Sequence, residues 1–151
     1  LSILGEPITI YGDGRQTRSF QYVSDLVTGL VRLMQSNYTQ PVNIGNPEEH
    51  SITEFANKIR DTVQKQTKRE TKSDIIQLHA VQDDPRQRKP DITLAKKVLN
   101  GWTPKIGIDE GLVKTIEYFT RELERNNFDL KDTASFSNID AVTLSLVNNG
   151  L

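Results

Sequence analysis

Two short runs of this 151-residue chain hold residue types suited to an anionic ligand with a flat ring. The first is Tyr11-Gly12-Asp13-Gly14-Arg15-Gln16-Thr17-Arg18. An aromatic ring ahead of a glycine turn can pack on a base or ribose, the turn lets the backbone approach closely, and a guanidinium on the following strand forks onto phosphate oxygens. The second run, Asp83-Asp84-Pro85-Arg86-Gln87-Arg88-Lys89-Pro90-Asp91, concentrates three cations between prolines. The prolines pre-set the loop and reduce the entropy lost in ordering it around an anion. Arg18 and Arg88 together match the two charges of a pyrophosphate, each charge-assisted bond contributing roughly 1.5 to 3 kcal/mol where water is largely excluded. Asp91 has two readings, helix N-cap or acceptor for ribose hydroxyls. Taken alone, both runs also describe solvated surface: a charged hairpin, and a loop in which Asp84 and Arg88 neutralise each other.

Other chemistries fit less well. Gly12-x-Gly14 is not a dinucleotide fingerprint, because Thr17 takes the third glycine position and the turn leads into a strand instead of a helix. Tyr22 and Tyr38 lack a lysine four residues on, where Leu26 and Val42 stand, so both read as structural. His50 and His79 have no partner constellation and read the same way. With no cysteine and only two histidines, neither a disulfide framework nor a zinc site is expected. Nineteen basic against twenty acidic residues give a net charge of -1, so no global field favours nucleic acid or an anionic membrane. No run approaches the roughly 18 apolar residues of a membrane helix.

The elements that must position these residues alternate strand and helix, an α/β pattern. Ile8 to Tyr11 form a short strand ending at the Gly12-Asp13-Gly14 turn, and Thr17 to Val23 a second extended run. Leu26, Val27, Leu30, Val31, Leu33 and Met34 recur at helical spacing, with Ser24 or Asp25 where an N-cap belongs. Pro41 to Ile44 are a strand candidate closed by Gly45-Asn46-Pro47. Ser51 and Glu54 have capping-box spacing ahead of Ile52, Phe55, Ala56, Ile59 and Val63, one helical face. Lys65 to Lys72 read as a solvated basic connection, and Asp74 to Val81 as another strand. Asp91 opens a helix that Gly101 ends in a left-handed cap, with Trp102 anchoring the turn. The last helix starts at Asp109 and carries Leu112, Ile116, Phe119 and Leu123. Residues 1–126 therefore form the folded portion, and 127–151, rich in Asn, Ser, Asp and Thr, read as a mobile tail.

In order, these blocks resemble the second half of an extended short-chain dehydrogenase/reductase acting on nucleotide sugars, and more closely the UDP-glucuronate decarboxylase (UDP-xylose synthase) family. The resemblance rests on Gly5 to Gly14, Arg18-Ser19-Phe20-Gln21-Tyr22-Val23-Ser24-Asp25, Asn43 to His50, and Asp83-Asp84-Pro85 with Arg88-Lys89-Pro90-Asp91. It runs from about Gly5 to Leu123. The Tyr-Gly-Asp-Gly stretch is shared with 4,6-dehydratases and 4-epimerases, which stay as rivals, as does a non-catalytic binding or dimerisation module.

By this resemblance, Tyr11 lines a uridine pocket with Gln16 nearby, Arg18 and Arg88 clamp the pyrophosphate, and Asp91 approaches ribose. The family uses bound NAD to oxidise the sugar at C4, loses the C6 carboxylate as carbon dioxide, and returns the hydride to give UDP-xylose. The glycine-rich NAD loop and Tyr-x-x-x-Lys of such enzymes are missing here, so the chain is expected to be the C-terminal substrate-binding portion without the Rossmann core, inactive alone. Its start at Leu1 agrees with a fragment. Val42 to Ile44 would be a late strand of the N-terminal sheet, and the Leu26 to Met34 helix would pack near it, leaving apolar faces without partners. The resemblance further implies a homodimer, placed in the Golgi lumen behind an N-terminal anchor if from an animal and otherwise cytoplasmic.

Overall fold

In the computed structural model, residues 1–68 and 72–125 are described. A single 3-10 turn, Ser2–Leu4, leads into strand β1, Ile8–Tyr11, whose Ile10 is buried to 2% exposure. Strand β2, Thr17–Ser19, helix α1, Val23–Gln35, strand β3, Glu49–Ser51, and helix α2, Ile52–Thr67, follow. Then come β4, Ile75–Leu78, the two-residue β5, Gln87–Arg88, and helices α3, Thr93–Val98, and α4, Ile108–Arg125. The fold is α/β, as expected. β1 pairs in parallel with β4, and a three-stranded sheet runs β3-β2-β5, antiparallel on one side of β2 and parallel on the other.

Helix α2 forms as its sequence dictates. Ser51 is the N-cap and its hydroxyl accepts the Glu54 N–H at 3.1 Å. The Glu54 carboxylate turns to His50 Nδ1 at 2.8 Å. Ala56 and Val63 are buried along its face, and Phe55 stacks on Phe20. A second core gathers Ala95, Leu99 and Trp102, with Leu33, Val42 and Ile44 packed against it. Helix α1 reaches this core through Gly29, where a Cβ would come within 2.5 Å of Ile44 and 3.1 Å of Trp102. Trp102, 2% exposed, follows two left-handed residues, Asn100 at φ +52 and Gly101 at φ +72; Asn100 takes the first left-handed position after α3, expected at Gly101, and the Gly101 N–H returns to the Lys96 carbonyl.

Several boundaries differ from the sequence expectation. β2 ends at Ser19, not Val23, because Phe20 leaves the ladder to stack on Phe55 and α1 already begins at Val23. Asp25 is therefore not an N-cap; Tyr22 holds that position, and the buried Asp25 carboxylate accepts the N–H groups of Lys105 and Ile106, both at 2.9 Å. Residues 41–44 pair with no strand among the described residues; Val42 and Ile44 are spent on the Trp102 core. Helix α2 continues to Thr67, whose hydroxyl donates to the Val63 carbonyl, so the basic connection starts later than Lys65. β4 stops at Leu78, leaving His79 outside it. Phe119 is exposed and edge-on to Tyr118, while Leu112, Ile116 and Leu123 are buried. Part of the basic stretch, 69–71, and the expected tail, 127–151, lie outside the described residues.

Candidate functional site

The β1–β2 turn is built by its glycines. Gly12 and Gly14 sit at φ +76 and +71, which residues with a Cβ rarely adopt, and a Cβ at Gly14 would lie 2.1 Å from the Thr53 hydroxyl. The Gly14 and Gln16 carbonyls accept the N–H groups of Thr53 and Ile52, both at 3.0 Å, so the turn is docked on the start of α2. Gln16 Nε2 donates to the Tyr11 carbonyl at 2.8 Å and closes the turn. These bonds fix where Tyr11 leaves β1 and where Arg18 enters β2.

A cleft of about 410 Å³ opens on this turn, and Tyr11, Gln16, Arg18 and Arg88 all line it. A second of about 600 Å³ adjoins it, sharing Tyr11, Gln16 and Asp84 and adding Arg15 and Arg86. Residues some 70 positions apart meet here because β5 pairs with β2 in register, Thr17 with Gln87 and Arg18 with Arg88. Cross-strand partners in register share a face, and both arginines line this cleft. Tyr11, half exposed, presents its ring at the rim.

The electrostatics correct one sequence reading. Asp84 pairs with Arg18, not Arg88. Arg18 Nη1 also donates to the Pro85 carbonyl at 2.8 Å and to its neighbour Thr17's at 2.7 Å, and its side chain is 17% exposed. The exposed Arg88 side chain has no ion pair or hydrogen bond among the described residues. One anchored and one available cation therefore share one wall.

Asp91 does not line this cleft. Ile92 holds the N-cap position of α3, and Asp91 stands just before it with Oδ1 accepting the Thr93 N–H at 2.8 Å. That bonding to Thr93 holds its carboxyl below the usual carboxylate range. Asp91 thus serves the start of α3, one residue before its N-cap position, and lies outside the lining of the cleft.

Two contributors were not singled out by sequence. Asn46 is buried, donates to the Phe20 carbonyl at 3.1 Å and accepts the Glu48 N–H at 3.0 Å, fixing the chain that returns into β3. Glu49 accepts from Thr17 Oγ1 at 2.8 Å and from Gln87 Nε2 at 2.7 and 2.9 Å, with Lys89 Nζ at 3.4 Å. These contacts, Gln87's first, hold its carboxyl below the usual range. The signal for both was their place in the Asn-Pro-Glu-Glu block, which carries no periodicity to reveal a contact.

No group of three or more His, Cys, Asp or Glu able to hold a metal occurs among the described residues, and no described helix is long and apolar enough to cross a membrane. The glycine turn at Gly12 to Gly14 joins two strands, so it lacks the strand-to-helix geometry that cradles a dinucleotide.

Residues 3–115 match the family model described as GDP-mannose 4,6 dehydratase. The chain is 55% identical over 123 residues to UDP-glucuronic acid decarboxylase 1 of Danio rerio, an alignment covering 82% of this chain and 28% of that protein. Among solved structures it is similar to UDP-glucose 4-epimerase of Thermotoga maritima with UDP-glucose, at TM-score 0.69 and 29% identity over 81% of this chain and 37% of that one. It is also similar to UDP-glucuronic acid 4-epimerase of Bacillus cereus in complex with UDP-glucuronic acid and NAD, at TM-score 0.65 and 28% identity over 78% and 36%. The chain thus spans well under half the length of each.

Proposed function

The chain belongs to the GDP-mannose 4,6 dehydratase family, and from that premise we propose that it is the nucleotide-sugar-binding portion of a UDP-glucuronate decarboxylase. The full protein would convert UDP-glucuronate to UDP-xylose and carbon dioxide. The observation that carries the binding reading is the in-register placement of Arg18 beside Arg88 on one cleft wall. Arg18 is held by Asp84 and the Pro85 carbonyl while the Arg88 side chain has no partner among the described residues, and a diphosphate offers acceptors to both guanidinium forks.

Within this reading Tyr11 packs on the base or ribose, Gln16 shapes the turn beneath it, and Arg18 and Arg88 hold the diphosphate; Asp91, outside the cleft lining, is kept as the ribose acceptor on family resemblance alone. Binding energy gathered at the nucleotide fixes the position of the sugar, and so lowers the cost of aligning its C4 and carboxylate for reaction. We assign the redox chemistry, NAD and the Tyr-x-x-x-Lys pair to protein outside this chain, so the chain alone has no turnover. A homodimer, and a Golgi-lumenal location for an animal source or a cytoplasmic one otherwise, complete the proposal and rest on family resemblance alone.

Decarboxylation is favoured over 4-epimerisation or 4,6-dehydration because the 55% identity is to a named decarboxylase, whereas the two solved epimerases share 29% and 28%. The test is product identity: the full-length protein incubated with UDP-glucuronate should yield a UDP-pentose. A C4 epimer or a dehydrated sugar as sole product would refute the decarboxylase assignment.

A further inference from the structure

We infer that Glu49 is a positioning residue for the nucleotide clamp: it staples β2 to β5 from the opposite face of the sheet and so sets Arg88 beside Arg18. This rests on the nucleotide-binding reading above and adds to it the group that holds the clamp in register.

The three-stranded sheet has two chemically distinct faces. Side chains alternate along a strand and register partners share a face. Ser19 pairs with Glu49, Arg18 with His50 and Arg88, and Thr17 with Ser51 and Gln87. Thr17, Ser19, Glu49, Ser51 and Gln87 therefore fall on one side, and Arg18, His50 and Arg88 on the other. The hydrogen bonds agree: Glu49 reaches Thr17 on β2 and Gln87 on β5, and Lys89, two residues beyond Gln87, comes to 3.4 Å. Arg88 lies between Gln87 and Lys89, so both of its neighbours are held by one carboxylate while its own side chain is turned to the cleft.

Such a device is needed because β5 has only two residues. A ladder this short contributes few backbone bonds, and one of its two cross-strand pairs sets arginine against arginine, an unfavourable like-charge pairing. The loop before it bends through Asp83 at φ +64, outside the conformations most side chains prefer. On the N-terminal side of β5, the Thr17 N–H donates to the Arg86 carbonyl and Arg18 holds Asp84 and the Pro85 carbonyl. Glu49 is the tie to β5 itself and to Lys89 beyond it, and its amide and ammonium partners cannot be met together if β5 slips by one residue, which would turn Gln87 and Lys89 to the cleft and Arg88 away.

Glu49 touches none of the ligand-facing atoms in this arrangement, so its effect must pass through Arg88. The experiment is a double-mutant cycle in the full-length protein, with UDP as the probe and affinity read by calorimetry. Glu49→Gln should weaken UDP binding about three- to tenfold when Arg88 is present and less than twofold in an Arg88→Ala background. Gln87→Leu, at an exposed position that should not impair folding, removes the β5 end of the same staple and should give the same pattern. Equal losses with and without Arg88, or no loss in either variant, would overturn the role of Glu49 while leaving the nucleotide site in place. If Arg88→Ala itself leaves UDP affinity unchanged, Arg88 has no part in the clamp and the staple falls with it.

Discussion

Arg18 and Arg88 were legible as a pair of anion-binding candidates because guanidinium groups beside a glycine turn and within a proline-bounded loop are suited to phosphate. Their partners were not. Asp84 was matched in sequence with Arg88, four residues away, yet it pairs with Arg18 because the β2–β5 register brings the loop over β2. Replacing Arg18 or Arg88 with alanine in the full-length protein should weaken UDP binding by at least about 1 kcal/mol, roughly fivefold. Unchanged affinity of both variants in a calorimetric titration would remove the clamp. Glu49 carries a pH consequence as well. Its folded carboxyl is held below the ordinary range, chiefly by Gln87 and then Thr17, so the ionised form is favoured by folding. That stability is fully present above the unfolded value of about 4.3 and is lost as pH falls through the lower folded value. Melting temperatures measured from pH 5 to pH 3 should therefore fall less steeply in Glu49→Gln than in the unaltered protein; parallel curves would show that the carboxylate is not linked to folding.

At the scale of elements, periodicity located the helices and misjudged the irregular joins. Helix α2 was readable from its Ser51 cap and its apolar face, both local properties. Residue type alone extends β2 to Val23, because Phe20 and Tyr22 suit a strand, while stacking on Phe55 and the start of α1 at Val23 are tertiary facts. Residues 41–44 have strand composition but form no ladder among the described residues, and their apolar side chains serve the Trp102 core. Gly29 shows what composition hides: inside a helix it costs about 1 kcal/mol relative to alanine, yet α1 can approach Ile44 and Trp102 only without a Cβ there. Gly29→Ala should destabilise the protein despite the better helix former, because displacing packed neighbours costs typically 1 to 3 kcal/mol. A denaturation midpoint equal to or above that of the unaltered protein would contradict this packing. The outer face of α1 is another matter, since Val23, Val27, Leu30, Val31 and Met34 form an apolar stripe 44 to 84% exposed. The isolated 151-residue chain should accordingly bind a hydrophobic fluorescent dye, and Val27→Ser with Val31→Ser should reduce the signal at unchanged helix content; equal dye binding would show that the stripe is not the exposed surface responsible.

For the molecule as a whole, the α/β class followed from the alternation of strand and helix patterns, and the family from blocks of sequence whose spacing no single element explains. The glycine turn, the short β5 and the return through Asn46 make sense only together, as parts that bring residues 11, 18 and 88 to one cleft from distant stretches of chain. Composition excluded a metal-thiolate site and a general affinity for polyanions, but it could not show which cations meet; the register between β2 and β5 brings Arg18 and Arg88 to one cleft, and the proposed clamp rests on that. The central claim, that this clamp serves decarboxylation of a uridine diphosphate sugar, is tested most directly by giving the full-length protein UDP-glucuronate labelled at the carboxylate carbon and following the label. The account predicts that the label leaves as carbon dioxide while unlabelled UDP-xylose accumulates in equal amount, and it is contradicted if the label stays in the nucleotide sugar as the substrate is consumed.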